Sequence, residues 1–234
     1  MPITFIGCDK YSENNPESGA FTLHADAQAG DIAIFFWYTR TYTKTITLDP
    51  AQATPMHTLY NTSSSGRGRL FIGWVLVTQI SLDSHETWGW TSSTVANSTT
   101  IWGASIFRGV HPTAPVDIDS GTPAYWDNAE DPDAPAVTTL TDNACVIPIF
   151  GKNNDFTSIA VPTGYASAGE KAETLGTDAS AGAAYKIVAS HGEENPDAWD
   201  LSGGASTDDG LVWTGALKPS EEIPPAEEML VQVM

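Results

Sequence analysis

The side chains best suited to bind or react in this sequence are paired acids, one aromatic pair beside polar residues, and scattered histidines. Asp117-Ile118-Asp119 sets two carboxylates on one face of an extended segment, and Asp208-Asp209-Gly210 is an acidic turn. Both offer the hard oxygen ligands that calcium takes, although neither completes an EF-hand loop and a solvated turn is the competing role. Tyr125-Trp126-Asp127-Asn128 puts two rings next to a carboxylate and an amide, which is the chemistry of sugar recognition, with Trp126 as the stacking ring. The competing role for that pair is a cap over one end of a sheet. A glycosidase needs two carboxylates about 5–10 Å apart across a cleft; the available sets are Asp83 with Glu86, or Glu193 with Glu194 and Asp197. His24, His57, His85, His111 and His191 show no metal-ligand spacing, and no nucleophile elbow, zinc-protease helix, phosphate loop or dinucleotide fingerprint is present. The expectation is therefore no catalytic residue and no cofactor, with calcium as the one candidate ion. Cys8 and Cys145 have no CxxC neighbour; Cys145 reads as a small buried hydrophobe, with a Cys8–Cys145 disulfide as the alternative.

The elements that must position these groups are strands. Of 234 residues, 41% are hydrophobic and 17% charged, enough to bury a core, and 29 acids against 10 bases give a net charge of −19. Such a polyanion repels phosphate backbones, which argues against nucleic-acid binding. No apolar run approaches the roughly 20 residues of a membrane-spanning helix. The opening Met1-Pro2-Ile3-Thr4-Phe5 lacks the basic flank of a secretory signal. Apolar runs at residues 31–38, 43–48, 70–79, 99–107, 144–150, 183–189 and 211–217 are short, rich in β-branched and aromatic side chains, and separated by Gly, Pro, Asn, Asp and Ser. One stretch, Ser167 to Leu175, has the composition of a helical turn.

A shift of 111 positions aligns several landmarks. Asp31 meets Asp142, Trp74 meets Tyr185, Trp88 meets Trp199, and Trp102 meets Trp213. The pattern predicts an all-β, jelly-roll β-sandwich of two antiparallel sheets, built from pseudo-repeated halves at about 20–110 and 137–219 whose strands interleave between both sheets. The matched aromatic residues are then fillers of one shared layer, and residues 1–219 form a single domain. Between the halves, residues 111–136 form an acidic, Pro-rich connection; from Gly109 to Gly151 there are seven acids and no Lys or Arg. Residues 220–234 read as an acidic, extended C-terminal arm whose final Met229–Met234 is apolar enough to add a strand to another subunit's sheet.

The ordered set Gly30-Asp31-Ile32-Ala33, Gly73-Trp74-Val75-Leu76-Val77 and Ile101 to Asp117, containing Arg108-Gly109-Val110-His111-Pro112-Thr113-Ala114-Pro115-Val116-Asp117, resembles jelly-roll virion proteins of tailed bacteriophages and prophages. Phe107 stands where that family's pattern has Tyr, Val116 where it has Ile, and the usual Pro-x-Gly-Trp is reduced to Asp49-Pro50. The resemblance implies a non-enzymatic structural protein on the particle exterior: a capsid decoration or cement protein, a head-fibre subunit, or a tail-associated subunit. It implies other virion proteins and further copies of itself, such as a trimer, as partners. Assembly would take place in the bacterial host cytoplasm, without membrane insertion. No binding or catalytic residue is carried over. Ile3–Ile6 and Leu230–Val233 are the segments expected to touch neighbours. The alternative function is a tail-associated adhesin that binds a host-surface glycan through Trp126.

Overall fold

The computed structural model describes residues 1–49, 54–93, 98–121, 124–126, 131–154, 156–173, 178–203 and 209–221, with the Trp126 side chain outside the description. The first half contains β1 (Thr4–Asn14), β2 (Ser18–Phe21), β3 (Ile32–Thr39), β4 (Ile46–Leu48), β5 (His57–Ser64), β6 (Gly68–Leu76), α1 (Gln79–Asp83), β7 (Trp88–Ser92) and β8 (Thr99–Arg108). The second contains β9 (Val116–Asp119), β10 (Ala124–Trp126), β11 (Val137–Thr138), β12 (Ala144–Lys152), β13 (Ser158–Ala160), β14 (Ala166–Glu173), β15 (Ala179–Val188), β16 (Glu193–Glu194), β17 (Asp200–Ser202) and β18 (Gly210–Leu217). The chain is an all-β sandwich of antiparallel sheets.

Each half supplies one large sheet. The first runs β1-β8-β3-β6-β5, and the second runs β10-β18-β12-β15-β14, with β9 also on β18. A small sheet, β2-β7-β4, flanks the first, while the pairs β13-β17 and β11-β16 belong to the second half. The strands of the two halves therefore do not interleave as expected, because every sheet is drawn from one half. The apolar runs explain why the large sheets are central. In β3 and β12 every residue is buried, so these strands need cover on both faces.

Three apolar clusters supply that cover. The large sheets face each other over Ile34, Phe36, Tyr38, Leu70 and Ile72 from one side and Cys145, Ile147, Ile149, Ala181 and Trp213 from the other. Behind the first sheet, Phe35, Trp37, Phe71, Trp102 and Ile106 pack on Phe21, Trp88 and Trp90. Behind the second, Val146, Phe150, Val212 and Trp199 form a third cluster. The indoles thus do not share one layer. Trp88, Trp102 and Trp199 lie in the two flanking cores, Trp213 lies between the large sheets, and Trp74 and Tyr185 are only partly buried at the rim of that central layer.

Register explains the separation of Trp102 from Trp213. Tyr38 pairs with Ile101, and Ile149, 111 residues beyond Tyr38, pairs with Trp213, which is 112 beyond Ile101. A one-residue slip moves a strand's side chains to the opposite face. Trp102 therefore points into its own half and Trp213 towards the other.

The contacts between large sheets are reciprocal. β8 lies on β15 and β6 on β18, β3 touches both β12 and β15, and β6 touches β12. Such reciprocity is that of two copies related by a two-fold axis. One rim is closed by β1 packing along β14, where Ser12 donates to Glu173 at 2.5 Å and a Cβ on Gly169 would meet the Cys8 sulfur.

Two expectations are corrected. Ser167–Leu175 is not helical over its described part; it lies mostly in β14, whose seven pairs with β15 include a bulge between Ser167 and Gly169. Among the described residues the one helix is α1, nucleated by a reciprocal capping box between Thr78 and Ser81. The 111–136 connection carries two edge strands, β9 and β10, of the second large sheet. The N-terminal run Ile3–Ile6 enters the edge strand β1, where Thr4 and Phe5 pair with Arg108 and Phe107 on one side and Ile3 is buried.

Candidate functional site

The residues that carry the phage-like pattern come together at the junction of the halves. Gly30 has φ 95°, a left-handed conformation that glycine adopts at little cost, and it places Asp31 at the mouth of β3. The Asp31 side chain is 2% exposed. It accepts two bonds of 2.9 Å from Arg108, through Nε and Nη2, and one of 2.8 Å from the Gln28 backbone N–H. Arg108 also donates to the Asp26 carbonyl at 3.1 Å. The carboxylate in turn holds the guanidinium above its ordinary pKa. Gly109 follows at φ 79°, where a Cβ would overlap the Pro2 carbonyl. From there the chain runs back along the end of β18: Ser220 N–H donates to the Gly109 carbonyl, His111 N–H to the Lys218 carbonyl, and Lys218 N–H to the Pro115 carbonyl. The motif is a clasp joining the start of β3, the link after β8 and the segment that follows β18. Its chemistry is that of a structural ion pair.

The proposed calcium ligands are engaged in turns. Asp117 accepts from the backbone N–H groups of Leu140 at 2.7 Å and Thr141 at 3.3 Å, and from the Thr141 hydroxyl at 2.9 Å. Asp119 accepts from Gly121 N–H at 2.7 Å. The Asp209 carbonyl accepts from Asn153 N–H, and its carboxylate lies beside Gly66; Asp208 is outside the described residues. Among the described residues, no group of three or more His, Cys, Asp or Glu side chains is placed to hold a metal ion.

For the sugar-binding candidates, Tyr125 is 46% exposed on β10, and the Arg67 guanidinium of the other half sits 5.2 Å from its ring centroid. Trp126 pairs through its backbone with Gly210. Asp127 and Asn128 lie outside the described residues.

Of the carboxylates considered for glycoside hydrolysis, Asp83, Glu86 and Glu194 have structural partners. Glu86 accepts from Thr54 N–H at 3.2 Å, while Glu194 accepts from Lys186 at 2.5 Å and from the Tyr165 hydroxyl at 3.1 Å. Burial, with Glu194 alongside, pushes the Tyr165 phenol above its ordinary range. Both cysteines are free thiols, so the disulfide alternative is not formed. Burial raises the Cys8 thiol to about 11 and Cys145 further still.

Sequence reasoning did not anticipate a groove of about 580 Å³ beside α1, lined by Thr22, His24, Ala27, Leu82, His85 and Glu86. His85 stands there at φ 51°, in the left-handed region that disfavours side chains. In the second half, β11 and β16 pair directly, Val137 with Glu194 and Thr138 with Glu193. Comparison of the chain with protein-family models, with curated proteins and with solved structures gave no match.

Proposed function

We propose that this chain is a non-enzymatic structural subunit of a tailed-phage particle, displayed on its exterior as a capsid decoration or head-fibre protein. The observation that carries this reading is the Asp31–Arg108 clasp. The residues that resemble phage virion proteins form one contiguous unit linking the start of β3, the end of β8 and the end of β18. The winding supports it further: β1-β8-β3-β6 beside β2-β7-β4 is the neighbour order of a jelly roll. Each half then reads as a jelly roll, stacked large sheet on large sheet. The groups first considered for chemistry, Asp117, Asp119, Glu86 and Glu194, serve turns and strand contacts. An acidic sandwich of this kind suits a role in presenting surface rather than turning over substrate.

The test is mass spectrometry of purified particles combined with immunogold labelling of intact ones. The expected result is stoichiometric recovery and labelling on the outer surface; particles that lack the protein would refute the reading. Glycan adhesion is the second reading, favoured by the half-exposed Tyr125 ring. It predicts glycan-array binding that is lost in Tyr125→Ala and Trp126→Ala.

A further inference from the structure

The reciprocal packing of the halves makes the two rims of the sandwich comparable, and they differ. At one rim the eleven-residue β1 lies along β14. At the other, β5 should meet the leading strand of the second half. That strand is broken into β9, of four residues, and β10, of three, and neither packs on β5 as β1 packs on β14. Leu59 and Tyr60 of β5 sit partly buried at this thinner rim.

β5 also ends its sheet, so one row of its backbone N–H and C=O groups faces outward. Edge strands are normally guarded by charge, and β1, β9 and β14 all carry carboxylates. The eight residues of β5, His57-Thr58-Leu59-Tyr60-Asn61-Thr62-Ser63-Ser64, contain no Asp, Glu, Lys or Arg. Across its outer face lies the half-buried Arg69, donating to Asn61 Oδ1 at 2.9 Å and Ser63 Oγ at 3.2 Å. Among the described residues Arg69 has no carboxylate partner, and its Nε is buried without an acceptor. Burial lowers its pKa, as expected for a cation lacking a counter-ion. In a chain of net charge −19, this is an acceptor site shaped for an extended, acidic strand.

We infer that β5 receives the segment Glu227-Glu228-Met229-Leu230-Val231-Gln232-Val233 of a second copy, added as a strand. That segment lies outside the described residues; its composition makes it the occupant. Glu228 supplies the anion for Arg69, which shares the Phe71 face of β6, and Met229, Val231 and Val233 alternate onto the other face, towards Leu59 and Tyr60. Pairing of β5 with another β5 is disfavoured, because it brings two Arg69 side chains towards each other without a counter-ion. The inference stands apart from any particle role, since it concerns only how copies of this chain associate.

The experiment follows association of the full chain by sedimentation velocity over a wide concentration range. The expected result is concentration-dependent assembly, weakened about tenfold or more by Glu228→Lys, and by Arg69→Glu, and recovered when the two are combined. Because Arg69→Glu acts on a half-buried residue, Thr62→Cys with Val231→Cys, both on the face of Leu59 and Tyr60, gives a second readout: oxidation should yield chains linked to one another. A monomer at all concentrations, unchanged association in the charge reversals, or a link formed only within one chain would each overturn the inference.

Discussion

Asp31 and Arg108 clasp each other through two bonds of 2.9 Å, tying the first residue before β3 to the last residue of β8. The carboxylate is buried while the guanidinium reaches the surface. Removing the arginine would leave Asp31 desolvated, with one backbone N–H as its remaining partner among these contacts. Arg108→Ala is therefore expected to cost about 3 kcal/mol, read as a lowered urea midpoint with unchanged slope. The residue 111 positions beyond Asp31 supplies the control. Asp142 meets His191 at 2.7 Å, both side chains are mostly exposed, and the contacts to His191 hold that carboxyl below its ordinary range. Asp142→Ala should leave the midpoint unchanged at neutral pH.

Lys44 predicts a pH dependence. It is 1% exposed, its ammonium reaches Thr100 Oγ1 at 3.4 Å, and burial holds its pKa at about 8 against an ordinary 10.5, with Glu13 and Glu17 opposing the shift. Between those values the unfolded chain keeps a proton that the folded chain has released. Stability from this group therefore rises as pH increases from 8 to 10.5, and below 8 the folded state carries the full cost of burying the charge. Lys44→Met should raise Tm at pH 7 by about 3 °C or more and remove the alkaline rise. Cys8, raised to about 11 by burial, acts in the opposite sense, losing stability as pH climbs from about 9 to about 11. Thermal melts of both proteins across this range separate the two effects.

Asp117 fixes the turn at Leu140 and Thr141 by accepting three bonds. With its oxygens so engaged, millimolar calcium should leave Tm unmoved, whereas Asp117→Ala should lower stability by about 1–3 kcal/mol through unpaired N–H groups. A calcium-dependent rise in Tm that disappears in Asp117→Ala would restore the ion site.

The strands most legible in the sequence were those buried on both faces. Continuous apolar runs announced β3, β8, β12 and β18, because such strands need no polar alternation. β5 and β14 were missed for the opposite reason. They are edge strands of Thr, Ser, Ala and Glu, whose extended form is imposed by the neighbouring β6 and β15 rather than by their own side chains. β1 reads only as a short terminal run, since its bulge at Ile6 and its charged residues Asp9, Lys10 and Glu13 obscure the period. The matched tryptophans pointed to related halves, but spacing alone could not reveal which face each ring takes. The added residue between Ile101 and Trp213 becomes visible only through strand register. At the candidate site, Asp31 and Arg108 were legible as motif residues; their contact was not, because it spans 77 positions. The groove at His24 and His85 had no sequence signal, since its walls meet only after β2 and β7 have paired.

The central claim is that two β units stack large sheet on large sheet, and Trp213 tests it most directly. Its indole belongs to the second half yet packs in the layer shared with Tyr38 and Leu70 of the first. Trp213→Ala should cost about 3–5 kcal/mol. In native-state hydrogen exchange it should lower protection in β3, β6 and β8 together with β12, β15 and β18. Loss of protection confined to β12, β15 and β18, with the first large sheet unchanged, would contradict the stacked arrangement.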